Sequence, residues 1–389
     1  MEINPGGRLP IKDVVGRDAE ILRYWKILRR QGLILSAERR IGKTHIVLKM
    51  RDECPDDYLV FYQDLESVHS LLELARALYS AVSDSLSAAG RARAKVADWS
   101  RLVPTRLAGL ELPDAKDHWK AILDQAIRDV VAVADSRTVL LIWDEFPLML
   151  YNLQKREGTA DPIELLDHLR KLRQLHSNQL RFLFTGSVGL HLIIRALQRA
   201  GNANDPVNDM YAETVPPMAL AHAEGLCIGL LAQIDISPGE VALCSKHIVN
   251  LVGGFPYYIH HVVDQLDQLG RRVSVADVDH AVEQLIYGDR DPANLRYYVT
   301  RIGAYYDDNE RTSALAVLDV VSAADGPLTA DEIMNLVNHG SDAFSQETVR
   351  SVLRLLVEDH YLLTAKRDRK LKFSFRWRLV KQWWKEARL

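Results

Sequence analysis

Eight consecutive residues, Ala37-Glu38-Arg39-Arg40-Ile41-Gly42-Lys43-Thr44, carry the spacing of a phosphate-binding loop, with alanine where the pattern G-x-x-x-x-G-K-[ST] opens on glycine. In such a loop successive backbone N–H groups turn toward phosphate oxygens, and the helix that follows adds its positive end. Arg40, Ile41, Gly42, Lys43, Thr44 and His45 form the expected cradle. Gly42 falls where the backbone must approach a phosphate most closely. Lys43 is placed to neutralise β- and γ-phosphates and Thr44 to offer its hydroxyl to Mg2+. The first position needs only a small residue at a strand exit, so Ala37 is compatible with the loop. The implied ligands are ATP and Mg2+.

Magnesium held this way needs a second acid at the end of a neighbouring buried strand. The apolar run Val139 to Trp143, followed by Asp144-Glu145, supplies one. Asp144 would orient the water shell of the metal, and Glu145 would polarise an attacking water, with Lys43 completing the catalytic set. Thr185 and Ser187 follow another apolar run, Arg181 to Phe184. There a hydroxyl either senses the γ-phosphate and positions water, or does ordinary turn chemistry.

These residues require a scaffold of alternating strands and helices. A helical pattern with Ile21, Leu22, Trp25 and Leu28 on one face precedes a short strand at Leu33 to Leu35, and a helix carrying Ile46, Val47, Leu48 and Met50 follows the loop. Tyr58 to Tyr62 reads as a second strand, Val139 to Trp143 as a third and Arg181 to Phe184 as a fourth. A long helical stretch over about 68–98 leads to breaks at Pro104 and Pro113. The alternation predicts an α/β P-loop NTPase fold, a parallel sheet covered on both faces, over 1–215. Helical patterns over 216–300 predict a helical lid.

In a last domain over 301–389, the order from about 311 is helix, helix, helix, hairpin, helix. Thr329 to Glu332 has the form of a capping box, Ser345 opens the next helix, and Val349, Val352, Leu353 and Leu356 face inward. Tyr361 to Lys366 and Leu371 to Phe375 flank the turn Arg367-Asp368-Arg369-Lys370. This pattern predicts a winged helix–turn–helix. Ten basic residues against two acids give 361–389 a charge of +8, within a chain of net charge -3. Arg350 and Arg354 on the third helix, with Arg367, Arg369 and Lys370 at the wing tip, are candidate contacts for duplex DNA. The other reading is a protein-docking module, or one that packs on its own ATPase domain. Trp377, Trp383 and Trp384 read as core or interface anchors.

The bulk properties narrow the class. The chain has 389 residues, long for one core, and its 48% apolar and 26% charged residues are those of a soluble globular protein. Cys54, Cys227 and Cys244 are widely spaced, which argues against a zinc site or disulfide framework. The sequence predicts no membrane segment, no signal peptide and a cytoplasmic location. His260-His261 reads as a pair facing neighbouring groups rather than a metal.

Five ordered segments resemble a known group: VGRDAEI at 15–21, AERRIGKT at 37–44, LLIWDE at 140–145, FTGSVGL at 184–190 and GGFPYYIHH at 253–261. Together they resemble AAA+-related ATPases of the STAND type, particularly the archaeal-type ATPases with a C-terminal winged helix. The resemblance implies that Val15, Gly16 and Arg17 lie near adenine and ribose, and that Pro256 caps the base from the lid. Taken alone, Gly-Phe-Pro reads as a plain helix N-terminus. The resemblance further implies a homo-oligomer, with Arg195 and Arg199 as candidates for an arginine acting on a neighbour's nucleotide. The chain departs from the group at Asn208-Asp209, where many archaeal-type relatives carry Gly-Arg. Two functions are implied: a DNA-associated ATPase, or a signalling or antiviral defence switch that oligomerises on ATP binding and docks a separate effector protein.

Overall fold

The apolar run that precedes the loop forms β1 (Leu33–Ser36), which lies inside a five-stranded sheet. The computed structural model describes residues 2–85, 118–202, 204–288, 290–339 and 343–388. The expected helical stretch beyond 85, with Pro104 and Pro113, lies outside them. The chain forms two compact bodies, one of residues 18–36 and 43–215, the other of residues 1–17, 37–42 and 216–389.

The first body is built on β1, β2 (Tyr58–Asp64), β3 (Thr138–Asp144), β4 (Leu180–Thr185) and β5 (Tyr211–Thr214), in the order β2-β3-β4-β1-β5, all parallel. β3 and β4 are central and buried almost throughout, which is why they read as unbroken apolar runs. Trp143, Phe146, Phe182 and Phe184 form one aromatic cluster, with Phe146 and Phe184 stacked at 4.3 Å. The exception in β4 is Arg181, whose guanidinium donates to the carbonyls of Leu28, Leu180 and Ser177. Helices α1 (Asp18–Leu28), α2 (Lys43–Asp52), α3 (Leu71–Ser85), α4 (His118–Val133), α5 (Phe146–Glu157), α6 (Ala160–Leu175) and α7 (Leu190–Arg199) complete the body.

Two local expectations change. In α1 the buried face is Ile21, Tyr24, Trp25 and Leu28, while Leu22 is 58% exposed. At 3.6 residues per turn Leu22 lies a quarter-turn away from Ile21, and Tyr24 takes its place on the stripe. The edge strand β5 was not expected, because Tyr211-Ala212-Glu213-Thr214 is half-exposed and carries no apolar run.

In the second body, α8 (Leu220–Leu231), α9 (Pro238–Val252), α10 (Pro256–Asp267) and α11 (Val275–Tyr287) form a helical bundle, followed by α12 (Tyr297–Tyr305). Gly254 is required at the start of α10, since a Cβ there would lie 1.9 Å from the Met218 carbonyl oxygen. The C-terminal module runs α13 (Asp308–Ala323), β6 (Leu328–Thr329), α14 (Ala330–Val337), α15 (Gln346–Glu358), β7 (Leu362–Arg367), β8 (Lys370–Phe375) and α16 (Arg378–Arg388). The expected helix–helix–helix–hairpin–helix order is present. The short β6, too brief to show in the sequence, joins the hairpin in an antiparallel sheet ordered β6-β8-β7. Thr329 and Glu332 form the capping box of α14, and the Ser345 hydroxyl caps α15. The hairpin turns at Asp368 and Arg369, with φ of 54° and 62°, the pattern of a two-residue type I′ turn. Trp377, Trp383 and Trp384 are buried, and Trp384 Nε1 donates to Asp319 at 2.8 Å. Among the described residues no helix is long and apolar enough to cross a membrane.

Candidate nucleotide site

The phosphate loop changes body at its lysine: Ala37–Gly42 belongs with the C-terminal residues, and Lys43 opens α2 beneath the sheet's carboxyl edge.

In the first body the register places Asp64 beside Asp144 at the ends of β2 and β3. Asp144 is 2% exposed. Its Oδ2 accepts the Thr44 hydroxyl at 2.7 Å and the Tyr62 hydroxyl at 3.3 Å, and its Oδ1 accepts the Glu145 amide at 3.1 Å. Burial raises its pKa above the ordinary aspartate value; the Thr44 hydrogen bond and the nearby Lys43 oppose that shift. The donor set fits magnesium, a hard cation that prefers oxygen ligands, because a hydroxyl and a carboxylate converge within one hydrogen bond of each other. Thr44 and Asp144 would hold the ion, which when bound supplies positive charge to the phosphate oxygens.

Glu145 is the residue after β3 and has a left-handed backbone, φ 55°. Its carboxylate accepts the Ser187 amide at 3.1 and 2.9 Å and the Ser187 hydroxyl at 2.8 Å. Burial raises its pKa, and the two kinds of Ser187 bond work against it. Ser187 therefore commits both donors to Glu145. Thr185, 1% exposed, has a buried hydroxyl with no hydrogen-bond partner, so it is the Thr185 side chain that keeps donor capacity at this strand end. Arg195 is half-buried and Arg199 exposed on α7.

In the second body the loop backbone takes φ of 69° at Arg40 and 99° at Gly42. The glycine answers a conformational demand, since no protein atom lies within 4 Å of the place a Cβ would take. Ala37 is buried, in keeping with its position at the strand exit. Arg17 is 2% exposed and donates to the carbonyls of Pro216 at 2.9 Å and Ile41 at 3.1 Å. It thus clasps the N-terminal segment, the loop and the entry to the helical bundle. Val15 and Gly16 precede it half-buried, and Gly16 (φ 67°) lies against His222. Pro256 stands in the first turn of α10, and His45, half-buried, lies in α2 of the first body. His260 Nδ1 accepts the Asn4 amide at 3.1 Å, while burial, with Arg40 nearby, pushes His261 down to about 4, so it is neutral at pH 7.

In the C-terminal module Arg350, Arg354, Arg367, Arg369 and Lys370 are all exposed, with Arg354 3.3 Å from Glu347. Three other cations of the +8 segment are engaged internally. Arg388 pairs with Asp319, Lys381 donates to the Ala324 carbonyl and Arg376 lies 3.4 Å from His360 Nδ1. The segment's composition therefore overstates its free positive surface. Sequence reasoning missed Tyr62, although its place near the end of β2, next to the strand of the acidic pair, was a usable signal.

No protein-family model matches the sequence, and no curated protein matches it. In structure the chain is similar to a Walker-type ATPase of Pyrococcus abyssi, at 14% identity and a TM-score of 0.59, over 98% of this chain and 99% of that one. It is also similar to the ORC2 protein of Aeropyrum pernix in its ADPNP–ADP complexes, at 14% identity and a TM-score of 0.55, over 99% of this chain and 97% of that one. The fold is that of an α/β P-loop NTPase.

Proposed function

We propose that this chain binds ATP with Mg2+ and hydrolyses it, and that nucleotide state governs a C-terminal winged helix–turn–helix that contacts duplex DNA. The observation that carries the reading is the 2.7 Å bond between Thr44 and Asp144, which brings the last residue of the phosphate-loop motif onto the acid at the end of β3. In this reading Lys43 neutralises phosphate charge, Thr44 and Asp144 hold the metal, and Glu145 takes the proton of the attacking water. Val15, Gly16, Arg17 and Pro256 surround the base, and Arg195 or Arg199 reaches a neighbour in a homo-oligomer. Arg350, Arg354, Arg367, Arg369 and Lys370 contact DNA phosphates.

The test is ATP turnover by purified protein with and without duplex DNA, at low and moderate salt. Stimulation that weakens steeply with salt and disappears in Glu145→Gln supports a DNA-coupled ATPase, because phosphate contacts are salt-sensitive. A second reading, a STAND-type switch with a protein effector, is favoured by two observations. Glu145 is held by Ser187, and Arg376, Lys381 and Arg388 are bonded to other groups of the chain. Tight ATP binding with negligible turnover under every condition supports that reading.

A further inference from the structure

The phosphate-loop motif leaves the position of Glu38 unspecified, yet this carboxylate is 4% exposed. Its Oε2 accepts Trp377 Nε1 at 3.1 Å, and its Oε1 lies 3.9 Å from Arg301 Nη1. Arg301, on α12 and 2% exposed, donates through Nη2 to Asp359, the residue that caps the C-terminus of α15. Asp359 also accepts the Tyr306 hydroxyl at 3.0 Å. The next loop residue, Arg39, lies 4.3 Å over the ring of Tyr297, on the same helix as Arg301. All these residues belong to the second body.

One buried cation therefore serves two buried carboxylates, one on the phosphate loop and one at the end of the third helix of the C-terminal module. The sharing is unequal. Asp359 has a direct hydrogen bond, while Arg301 Nε and Nη1 are buried without one. A buried charge cluster is a weak source of stability, and an apolar core of similar volume would hold these helices as well. What a partly satisfied cluster offers is room for a second arrangement, with Arg301 shifted from Asp359, which it now bonds, toward Glu38 at 3.9 Å. Phosphate drawing the loop amides inward would carry the backbone at residue 38, and with it one of the two competitors. The other competitor stands one residue before His360, with φ 66°, and Tyr361, where the chain enters β7.

We propose that Glu38 is a positioning residue that links the phosphate loop to the end of α15, so that nucleotide on the loop and ligand on the C-terminal module alter each other's affinity. Such linkage is reciprocal by necessity. The inference rests on the nucleotide reading of the loop, and its test separates the two. Hydrogen exchange over 355–363 is measured on the full chain with and without a non-hydrolysable ATP analogue and Mg2+, in wild type, Glu38→Gln and Trp377→Phe. Affinity for the analogue is measured in parallel. The expected result is a change of at least about threefold in wild-type exchange on binding, lost in Glu38→Gln and reduced in Trp377→Phe while both still bind the analogue. A merely structural brace would lower the stability of the variants and leave the nucleotide response intact. Exchange at 355–363 that ignores bound analogue in wild type, or responds equally in Glu38→Gln, overturns the linkage. Failure of wild type to bind the analogue overturns the nucleotide reading and the linkage with it. Trp377→Phe removes the indole donor while keeping an aromatic ring beside Phe255, which gives a second readout if Glu38→Gln fails to fold.

Discussion

Asp144 with the half-buried Glu145, and the buried Glu38 with Asp359, are two pairs of carboxylates held by different partners. Asp144 and Glu145 are held mainly by hydroxyls and amides, from Thr44, Tyr62 and Ser187, with Lys43 as the nearby positive charge. Glu38 and Asp359 share the guanidinium of Arg301. Neutral donors stabilise a carboxylate without cancelling its charge, so the first pair can still attract a divalent cation or accept a proton. One buried arginine cancels only one of the two charges beside it, but Arg301, Tyr306 and Trp377 occupy carboxylate oxygens of Asp359 and Glu38, so the second pair offers a ligand little. The chemistry open to an acid depends on its partner more than on its burial.

The largest effect that would break this contrast is at Glu145. Glu145→Gln should lower turnover by roughly 10² to 10⁴-fold with nucleotide affinity held within a factor of about ten; steady-state kinetics beside direct binding would check it. Lys43→Ala should weaken ATP binding by roughly 100-fold, the loss of a charge-assisted contact with phosphate, and equal affinity would remove the loop from the site. For the second pair, Arg301→Met should lower stability by about 3–5 kcal/mol in urea unfolding, because two carboxylates lose their cation. Adding Glu38→Gln and Asp359→Asn should restore most of it. A smaller effect sharpens the first pair. Burial holds the pKa of Glu145 above the usual glutamate value, so its base form is lost as pH falls through that raised value. Ser187→Ala removes a bond that lowers this pKa, so the acid limb of the pH–rate profile should move to higher pH. The smallest effect is at the wing: neutralising Arg367 and Lys370 should weaken DNA binding and lower the salt slope by about 1 per lost phosphate contact, leaving ATP binding unchanged.

Much of the first pair's setting was legible because its signals are local. An apolar run ending in Asp144-Glu145, and a glycine, lysine and threonine in fixed order, can be read along a single stretch of chain. β3 and β4 were equally plain, being buried on both faces. β5 was not, because an edge strand carries no such run. The second pair was illegible for a different reason. Glu38 and Trp377 are 339 positions apart, and neither belongs to a periodic pattern that would point to the other. Ser187 lay between: the sequence placed a hydroxyl just beyond β4, but only packing shows that Glu145 takes it. The +8 segment misled in part, since a charge count does not show that Arg388 is paired with Asp319.

The tip of the hairpin has a consequence of its own. A type I′ turn favours glycine at its second central position, and Arg369 sits there with φ 62°. An L side chain in that region costs about 1–2 kcal/mol. The hairpin turn therefore carries a cation where the backbone disfavours a side chain, and at this residue conformational ease and charge pull in opposite directions. Arg369→Gly should give a protein that melts later and holds polyanions less well, and the two changes could be measured on the same sample.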